Sequence, residues 1–258
     1  MEKRKIIYYT DELNDEFSTA QIKAKSIDGD YKYDRSSLFY PFVRFFWYRI
    51  VATPLAFLYT KLKFHHKTVN RDLLKPFRKQ AFFMYGNHTQ ATGDPLMPNM
   101  FAFPKDVYFI VHANNVSMPV LGRINPYLGA IPLPDNLKAY RNYLAYIKKQ
   151  VEAKNCIVIY PEAHIWPYYT GIRSFPDSSF AYPVNLDCPV FCFTNTYQKR
   201  RRSKKPQIVT YIDGPFYPDT TLPPKEAAKK LRDEVYSTMC ARSQNSNVTV
   251  IEYVKKET

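Results

Sequence analysis

Cysteine is scarce in this sequence, and the few cysteines form no recognisable motif. There are 4 among 258 residues, and their spacing gives neither a CxxC pair nor a disulfide framework. The opening residues, MEKRKIIYY, also lack the apolar core of a secretory signal peptide. These absences argue against a disulfide-stabilised secreted scaffold, and we expect an intracellular protein with reduced thiols.

Flexible linkers and internal repeats are lacking as well. No Gly/Ser-rich stretch divides the chain, and its 45% hydrophobic and 16% aromatic residues are enough to bury a sizeable core. We therefore expect one main domain over residues 67–258, preceded by a polar extension (1–35) and an aromatic-rich amphipathic segment (36–66). A turn signal in IDGDYKY, residues 27–33, suggests a hairpin within the extension.

Negative charge is in short supply. The chain has 37 Lys and Arg against 23 Asp and Glu, a formal charge of +14, which favours an anionic partner such as a membrane surface, a charged substrate or a nucleic acid. The basic run KRRRSKK, residues 199–205, joins two predicted strands and is typical of a solvated hairpin loop. A nucleic-acid surface would interleave aromatic residues with such a run, whereas here they are scattered through apolar segments. We therefore expect no nucleic-acid partner.

A long uninterrupted hydrophobic run is also missing. The most apolar stretch, residues 38–62, contains Arg44 and Arg49, and each arginine would cost roughly 2.5 to 3.5 kcal/mol near the centre of a spanning helix. The Trp and Phe content instead favours a helical segment lying in the headgroup boundary of an anionic membrane, with the arginines reaching lipid phosphates. The alternative is a helix buried by packing.

Strand and helix patterns alternate through the rest of the chain. Short apolar, β-prone runs predict strands at 80–85, 107–111, 156–160, 189–195 and 207–213. Amphipathic stretches predict helices at 135–154 and 224–239, the first with Asp135 as N-cap and an apolar face that includes Leu137 and Tyr140. This alternation predicts an α/β fold with a mostly parallel sheet flanked by helices.

A histidine and an aspartate stand close together just beyond the first of these strands. The stretch GNHTQATGD, residues 86–94, contains His88 and Asp94. Ligand sites of open α/β sheets lie at the carboxyl ends of the strands. A neutral imidazole there can take a proton from a hydroxyl if a carboxylate fixes its tautomer and stabilises the imidazolium. His88 and Asp94 are therefore our candidate catalytic base and its partner.

Four blocks of the sequence resemble the glycerolipid acyltransferase family, which includes the 1-acylglycerol-3-phosphate acyltransferases. The first is the stretch from His88 to Asp94, and three follow it in the family's order: PVLGRINPYLGAIPLPD (119–135), VIYPEAHIW (158–166) and CPVFCF (188–193). The resemblance covers residues 80 to about 240. In the family four residues separate the histidine from the aspartate, whereas here there are five.

Basic residues that the family uses around the acceptor's phosphate are missing from these blocks. Asp135 stands where the second block usually has an arginine, and Ala163, His164 and Ile165 stand where the third commonly has Gly, Thr and Arg. The motif glutamate is retained as Glu162. The catalytic pair and the glutamate thus support acyl transfer more strongly than they support a phosphate-bearing acceptor.

Other basic residues are candidates to bind that phosphate. Arg173 is the first choice, and Arg123, Lys138 and Arg141 are further ones. A guanidinium or ammonium can bind phosphate from a different position in the fold. We therefore expect Arg173 and Arg123 to belong to the substrate-binding site.

The resemblance implies direct acyl transfer. No GxSxG motif points to a covalent acyl-enzyme, so His88 would deprotonate an acceptor hydroxyl as it attacks a fatty acyl thioester of CoA or acyl carrier protein. Glu162 would bind acceptor hydroxyls or hold a basic residue that does so, and backbone N–H groups at the turn of Gly129 would stabilise the oxyanion. No cofactor and no metal are expected. The acceptor would be a lysophospholipid, first 1-acylglycerol 3-phosphate, met at the cytoplasmic face of the cell membrane.

Other interpretations stay open. The acceptor would be a lipid or glycolipid without phosphate, or the protein would be a catalytically silent lipid-binding relative, since fold resemblance does not fix function. A metallohydrolase would instead use His88, Asp94, His112, Glu162 and His164 as metal ligands, but no HExxH or comparable ligand spacing supports it.

Overall fold

The computed structural model describes residues 5–17, 22–35 and 37–256, which contain two β-sheets. Their strands, in chain order, are β1 Lys5–Tyr9, β2 Lys67–Val69, β3 Phe82–Gly86, β4 Val107–Val111, β5 Ala130–Pro132, β6 Cys156–Ile159, β7 Val190–Arg200, β8 Ser203–Phe216 and β9 Ile251–Lys255. The main sheet has seven strands in the order β2-β8-β7-β3-β6-β4-β5. β1 and β9 pair in parallel as a separate sheet.

The main sheet is mostly parallel. Every neighbouring pair is parallel except β7 and β8, which form an antiparallel hairpin. The basic run at 199–205 lies at the tip of this hairpin, as the sequence predicts. The expected α/β fold is therefore confirmed.

Helices connect these strands. They are α1 Tyr40–Phe45, α2 Thr53–Phe64, α3 Met97–Ala102, α4 Asn114–Ser117, α5 Leu121–Ile124, α6 Leu137–Glu152, α7 Ala181–Asn185 and α8 Pro224–Ser243. A π-helical stretch, Phe46–Ala52, joins α1 to α2. Short 3₁₀ segments lie at Arg71–Lys79, Asn125–Leu128 and Ser178–Phe180.

Two apolar layers cover the faces of the main sheet. Successive side chains of a strand point to opposite faces, so Phe83 and Tyr85 of β3 join one layer while Phe82 and Met84 join the other. α6 and α8 pack on the first layer, and α2 and α3 pack on the second. The central strands are thus buried on both sides, as parallel sheets require.

The start and the buried face of α6 differ from the sequence prediction. The N-cap is Asn136, whose Oδ1 accepts a hydrogen bond from the Ala139 backbone N at 2.9 Å. Asp135 instead accepts from the backbone N of Ile27 at 2.7 Å. Leu137 and Tyr140 are exposed. The buried face of the helix is formed mainly by alanine and tyrosine side chains, which a search for leucines misses. It includes Ala139, Tyr143, Tyr146 and Ile147.

The polar extension packs against the main domain. Ile27 and Tyr33 are buried in the layer that holds α6, and the Tyr33 hydroxyl donates to the Pro132 carbonyl at 3.0 Å. The expected hairpin at 27–33 is wrong, because this part forms a turn between Asp28 and Tyr31 without flanking strands. The strand of the extension is β1, whose partner comes from the far end of the chain.

Residues 40–64, here called the N-terminal helix, comprise α1, the π-helical stretch and α2. Arg44 and Arg49 do not point outward as the sequence suggests, because both pair with Asp106. Many other side chains of this segment and of the residue before it are apolar and exposed, and we call them the apolar surface: Phe39, Phe42, Phe45, Phe46, Ile50, Leu55, Phe57, Leu58 and Leu62. No helix in the described ranges is long and apolar enough to span a bilayer.

Candidate active site

The candidate site lies where two parallel strands end side by side. β3 pairs with β6, with Tyr85 opposite Ile159, so the residues that follow the two strands meet at one edge of the sheet. The last residue of β3 is Gly86, where a Cβ would lie 2.1 Å from the ring of Phe193. His88 follows from one strand, and Glu162 follows from the other.

His88 and Asp94 are hydrogen bonded as the sequence predicts. Nδ1 of His88 lies 2.8 Å from Oδ2 of Asp94. The five intervening residues fit because the loop folds back, with the backbone N of Asp94 donating to the Gln90 carbonyl at 2.9 Å. The Gln90 N in turn donates to Oδ2 of Asp94 at 2.8 Å. The extra residue therefore lengthens the loop without opening the pair.

Burial distinguishes the two members of this pair. The Asp94 side chain is fully buried, and 19% of the His88 side chain is exposed. Burial raises the pKa of the Asp94 carboxyl above its usual 3.8, although the hydrogen bond from His88 opposes the shift. An ionised Asp94 accepts a hydrogen bond from Nδ1–H of His88, which leaves Nε2 as the basic nitrogen of the imidazole.

Tyr160, the residue that follows β6, supports the imidazole. Its ring stacks on His88 with centroids 4.5 Å apart, and its hydroxyl donates to the Asp94 carbonyl at 2.6 Å. One side chain thus contacts both members of the pair.

Residues 87–94 contain the candidate base and its partner, and we call them the catalytic loop. Asn195 of β7 holds the two ends of this loop together. Its backbone N donates to Oδ1 of Asn87 at 2.8 Å, and the Asn87 amide donates back to the Asn195 carbonyl at 3.0 Å. The Asn195 side-chain amide donates to Oδ1 of Asp94 at 3.3 Å. The residue before His88 and the aspartate that orients it are therefore held by one residue.

Glu162 holds His88 through its backbone. Its Oε2 accepts from the backbone N of His88 at 3.0 Å, and its Oε1 accepts from the backbone N of Arg173 at 3.1 Å. The Arg173 guanidinium completes the contact with Nη2 3.3 Å from Oε2 of Glu162. Burial raises the pKa of Glu162, and Arg173 counteracts that shift. Glu162 thus holds a basic residue, Arg173, while its expected role toward the acceptor stays a prediction.

Arg173 is a structural partner in this arrangement. Its side chain is 1% exposed, and the guanidinium also donates to the carbonyls of His164 and Glu12 and lies 4.9 Å from the ring of Trp166. Its two Nη atoms donate to protein groups, and its Nε is buried without a hydrogen-bond partner among the described residues. The expectation that Arg173 reaches the acceptor's phosphate is therefore contradicted by the burial of its side chain.

The extension covers the third block. The indole N of Trp166 donates to the Asp15 carbonyl at 2.8 Å. Nδ1 of His164 lies 3.1 Å from Oε2 of Glu16, and Phe17 packs edge-on against Trp166 with centroids 5.3 Å apart. Residues 12–17 thus lie over the block in which the family's basic residue is replaced.

Gly129 lies away from the site. It adopts φ +96°, and a Cβ there would lie 2.3 Å from the Val107 carbonyl. It comes just before β5, three strands from β3 in the sheet order, a separation of about 14 Å at the usual strand spacing. Its N–H donates to the Pro126 carbonyl at 3.3 Å. The expected role of Gly129 at the oxyanion is therefore wrong, and the glycine allows a close approach of two backbones.

The other candidate residues are on the surface. Arg123 lies exposed on α5, and Lys138 is exposed and pairs with Asp30 at 3.2 Å. Arg141 is exposed on α6. His112 is exposed, and its Nδ1 accepts from the backbone N of Asn114 at 3.3 Å. Among the described residues, no group of three His, Cys, Asp or Glu side chains could hold a metal ion.

The sequence does not reveal two residues that contact the His88–Asp94 pair, Tyr160 and Asn195. Tyr160 precedes the Pro-Glu pair of the third block, and a stacking role could have been suspected from that position. Asn195 ends an apolar run, where a polar residue looks like a strand end. Its partners lie 101 and 108 residues away, and no local pattern points to them.

Comparison with known proteins adds the family. Residues 62–194, about half of the chain, match the family model described as Acyltransferase. The chain belongs to the acyltransferase family. The resemblance seen in the four blocks is therefore confirmed, and the paired His88 and Asp94 lie within the matched part of this acyltransferase.

A solved structure is also similar. It is titled the crystal structure of the 1-acyl-sn-glycerophosphate (LPA) acyltransferase, PlsC, from Thermotoga maritima, and it is 14% identical with a TM-score of 0.47. The alignment covers 82% of this acyltransferase and 95% of that chain. No curated protein matches the sequence.

Proposed function

We propose that this acyltransferase moves a fatty acyl group from a thioester of CoA or acyl carrier protein to the hydroxyl of a lysophospholipid, with 1-acylglycerol 3-phosphate as the expected acceptor. The observation that carries the proposal is the 2.8 Å contact between His88 and the fully buried Asp94. A base with a fixed tautomer at the carboxyl edge of the sheet is what attack by a hydroxyl requires.

The reaction is a direct transfer. Nε2 of His88 takes the proton as the acceptor oxygen attacks the thioester carbonyl, and Asp94 stabilises the imidazolium that forms. The new C–O bond then replaces the C–S bond, and the thiolate leaves and takes the proton back from the imidazolium. Glu162 keeps the backbone of His88 in place throughout, and this proposed route needs no cofactor.

Lys63 is our candidate to contact the acceptor's phosphate. It is exposed in the last turn of α2, where its Nζ lies 3.5 Å from the Thr92 hydroxyl and contacts the hydroxyl of Tyr59. Thr92 belongs to the catalytic loop, four residues from His88, which limits their separation along the chain to about 14 Å. A lysine can bind phosphate as a point charge. Lys63 would thus supply a cation near the site that the second and third blocks lack.

The apolar surface supports a peripheral position on an anionic membrane, at the cytoplasmic face. Exposed phenylalanine and leucine side chains on one helix are typical of proteins that bind the headgroup boundary. The net charge of +14 adds attraction to anionic lipid. This placement would bring a lysolipid acceptor to α2 from the membrane.

Two other functions are the rivals. A non-phosphate lipid or glycolipid acceptor is favoured by Asp135, whose carboxylate binds the Ile27 backbone where the family has a phosphate-binding arginine. A silent lipid-binding protein is favoured by the extension, which covers the third block through contacts of Asp15 and Glu16.

The test is acyl transfer from labelled acyl-CoA and acyl carrier protein to 1-acylglycerol 3-phosphate and to a monoacylglycerol of the same chain length. We expect transfer to the phosphate acceptor, and a loss of at least about hundredfold in His88→Ala. Lys63→Gln should raise KM for the phosphate acceptor but not for the monoacylglycerol, whereas Lys79→Gln, an exposed lysine before the opposite end of β3, should alter neither. Equal transfer by wild type and His88→Ala would contradict the mechanism, and no transfer to any acceptor would favour the silent protein.

A further inference from the structure

A chain of hydrogen bonds leads from Asp94 through the sheet to the end of the N-terminal helix. The Asn195 amide donates to Oδ1 of Asp94 at 3.3 Å, and Oδ1 of Asn195 accepts from the Thr210 hydroxyl at 2.6 Å. That hydroxyl lies 2.8 Å from Nε2 of His66. The side chains of Thr210 in β8 and Asn195 in β7 thus connect His66 to the carboxylate that orients His88.

All members of this chain are buried. The exposed fractions are 0% for Asp94 and Thr210, 1% for Asn195 and 3% for His66. A buried polar group destabilises the fold unless it is hydrogen bonded, so breaking one link of this chain would leave its neighbours unpaired in the core. Apolar side chains at these positions would avoid that risk.

The direction of each hydrogen bond follows from the chemistry. Thr210 has one hydroxyl proton, which it donates to Asn195, so it must accept from Nε2–H of His66. Burial lowers the pKa of His66 to about 4, with the charge of Lys61 adding to the shift. His66 is thus a neutral donor at neutral pH, and every link points its donor toward Asp94.

The hydrogen-bond chain starts two residues after the end of α2. His65 leaves the helix in the left-handed conformation at φ 48°, and His66 follows it into the core. The same helix reaches the other side of the catalytic loop through Tyr59, whose hydroxyl donates to Thr92 at 3.1 Å. The helix that carries the apolar surface therefore holds the loop at its tip and, through β8 and β7, at its carboxylate.

We propose that His66, Thr210 and Asn195 are positioning residues for acyl transfer, which fix Oδ1 of Asp94 so that Oδ2 stays aligned with His88. The proposal rests on the proposed role of His88 as the base. None of the three touches a substrate, and their effect passes through Asp94 to the orientation of the imidazole. The chain also makes the position of α2 part of the geometry of the site.

The experiment compares two threonines of the same hairpin. Thr210→Val removes a buried hydroxyl with two partners, and Thr196→Val is its matched control. The Thr196 hydroxyl is equally buried and contacts the Val209 carbonyl at 2.8 Å and the Gln198 amide at 3.2 Å. Both variants should lose similar stability, measured by thermal unfolding, because each removes two buried hydrogen bonds.

Activity should separate the two variants. We expect kcat of Thr210→Val to fall about tenfold with KM for the acceptor unchanged, because misplacing a reacting group costs rate more than binding. Thr210→Ser keeps the hydroxyl and should restore the rate, and Thr196→Val should leave kcat within about twofold. Equal kcat in the two valine variants, or a change confined to KM, would overturn the positioning role.

A second readout keeps this inference separate from the proposed reaction. The proton on Nδ1 of His88 can be followed by NMR and assigned by its loss in His88→Ala. Thr210→Val should move this resonance, whereas Thr196→Val should not. If the wild type transfers no acyl group, the proposed reaction fails while this shift still supports the positioning role. An unmoved resonance would overturn it even in an active enzyme.

Discussion

The sheet edge that carries the candidate site and the N-terminal helix differ in which side chains they bury. At the edge, Asp94 is buried and paired with His88, and Glu162 is buried and paired with Arg173. On the helix, side chains such as Phe42, which is 73% exposed, lie open at the surface. Buried pairs fix positions, since breaking any one is costly, whereas an open apolar surface gains by being covered. The buried pairs therefore fix side-chain positions at the sheet edge, whereas the exposed side chains of the N-terminal helix are available to bind another surface.

The largest effect expected on stability comes from breaking the buried pair at the edge. Glu162→Gln leaves the Arg173 guanidinium buried without its carboxylate, and it should cost roughly 3 to 5 kcal/mol in the free energy of unfolding. Chemical denaturation measures this loss. Adding Arg173→Met should recover part of it, because the unpaired charge is then removed.

An exposed pair provides the control for this change. Lys138 and Asp30 are 3.2 Å apart with 72% and 90% of their side chains exposed, so Asp30→Asn should have little effect. If Glu162→Gln were as stable as Asp30→Asn, the contrast between buried and exposed charge in this molecule would be lost.

Acid should lower the stability of the protein through His66, which lies between the two regions. His66 has a folded-state pKa of about 4 against 6.5 in its ordinary state, so the unfolded chain binds more protons between these values. Its contribution to stability is therefore intact above pH 6.5 and declines toward pH 4, by up to about 3 kcal/mol. Unfolding measured across this range should fall less steeply in His66→Gln.

The comparison with His66→Gln isolates this group. Burial raises the pKa of Asp94 and of Glu162, which changes stability in the opposite direction as the pH falls. Their contribution is shared by wild type and variant. Parallel curves for the two proteins would mean that His66 titrates normally in the folded state.

The smallest effect should come from the apolar surface, and it should appear in binding alone. Replacing Phe39, Phe42 or Phe46 with serine should weaken binding to anionic phospholipid vesicles by roughly 1 to 2 kcal/mol per site. Thermal unfolding should be unchanged within about 0.5 kcal/mol, because the side chains are already exposed. Tyr217→Ser, at an equally exposed site elsewhere, serves as control, and an equal loss there would remove the special role of this surface.

The sequence predicts regular elements better than it predicts partners. The strand at 107–111 has its predicted bounds, and the helix predicted at 135–154 spans Leu137–Glu152. β2 and β5 are three residues long and exist because their neighbours pair with them, so local patterns do not reveal them. Hydrophobic periodicity is a property of one segment, and three residues are too few to show it.

The same limit applies to the site. His88, Asp94 and Glu162 could be selected because each stands beside a recognisable strand end. Sequence reasoning assigns Arg173 to the substrate because the charge of this residue is visible in the sequence, while its burial is not. It does not identify Asn195, whose partners at the site lie more than 100 residues away. Burial and long-range pairing are properties of the packed molecule.

The small sheet of β1 and β9 has a consequence for how the protein is made. Its two strands lie about 240 residues apart along the chain, with Lys5 opposite Ile251, and Tyr253 of β9 stacks on Trp166 with centroids 4.8 Å apart. A nascent chain on the ribosome could pair β3, β6 and β7 well before Ile251 emerges. Asp15 and Phe17, which also contact Trp166, are synthesised before it, whereas the contact with Tyr253 can form only after β9 has been made. The cover of Trp166 is therefore assembled from segments made both before and after the third block.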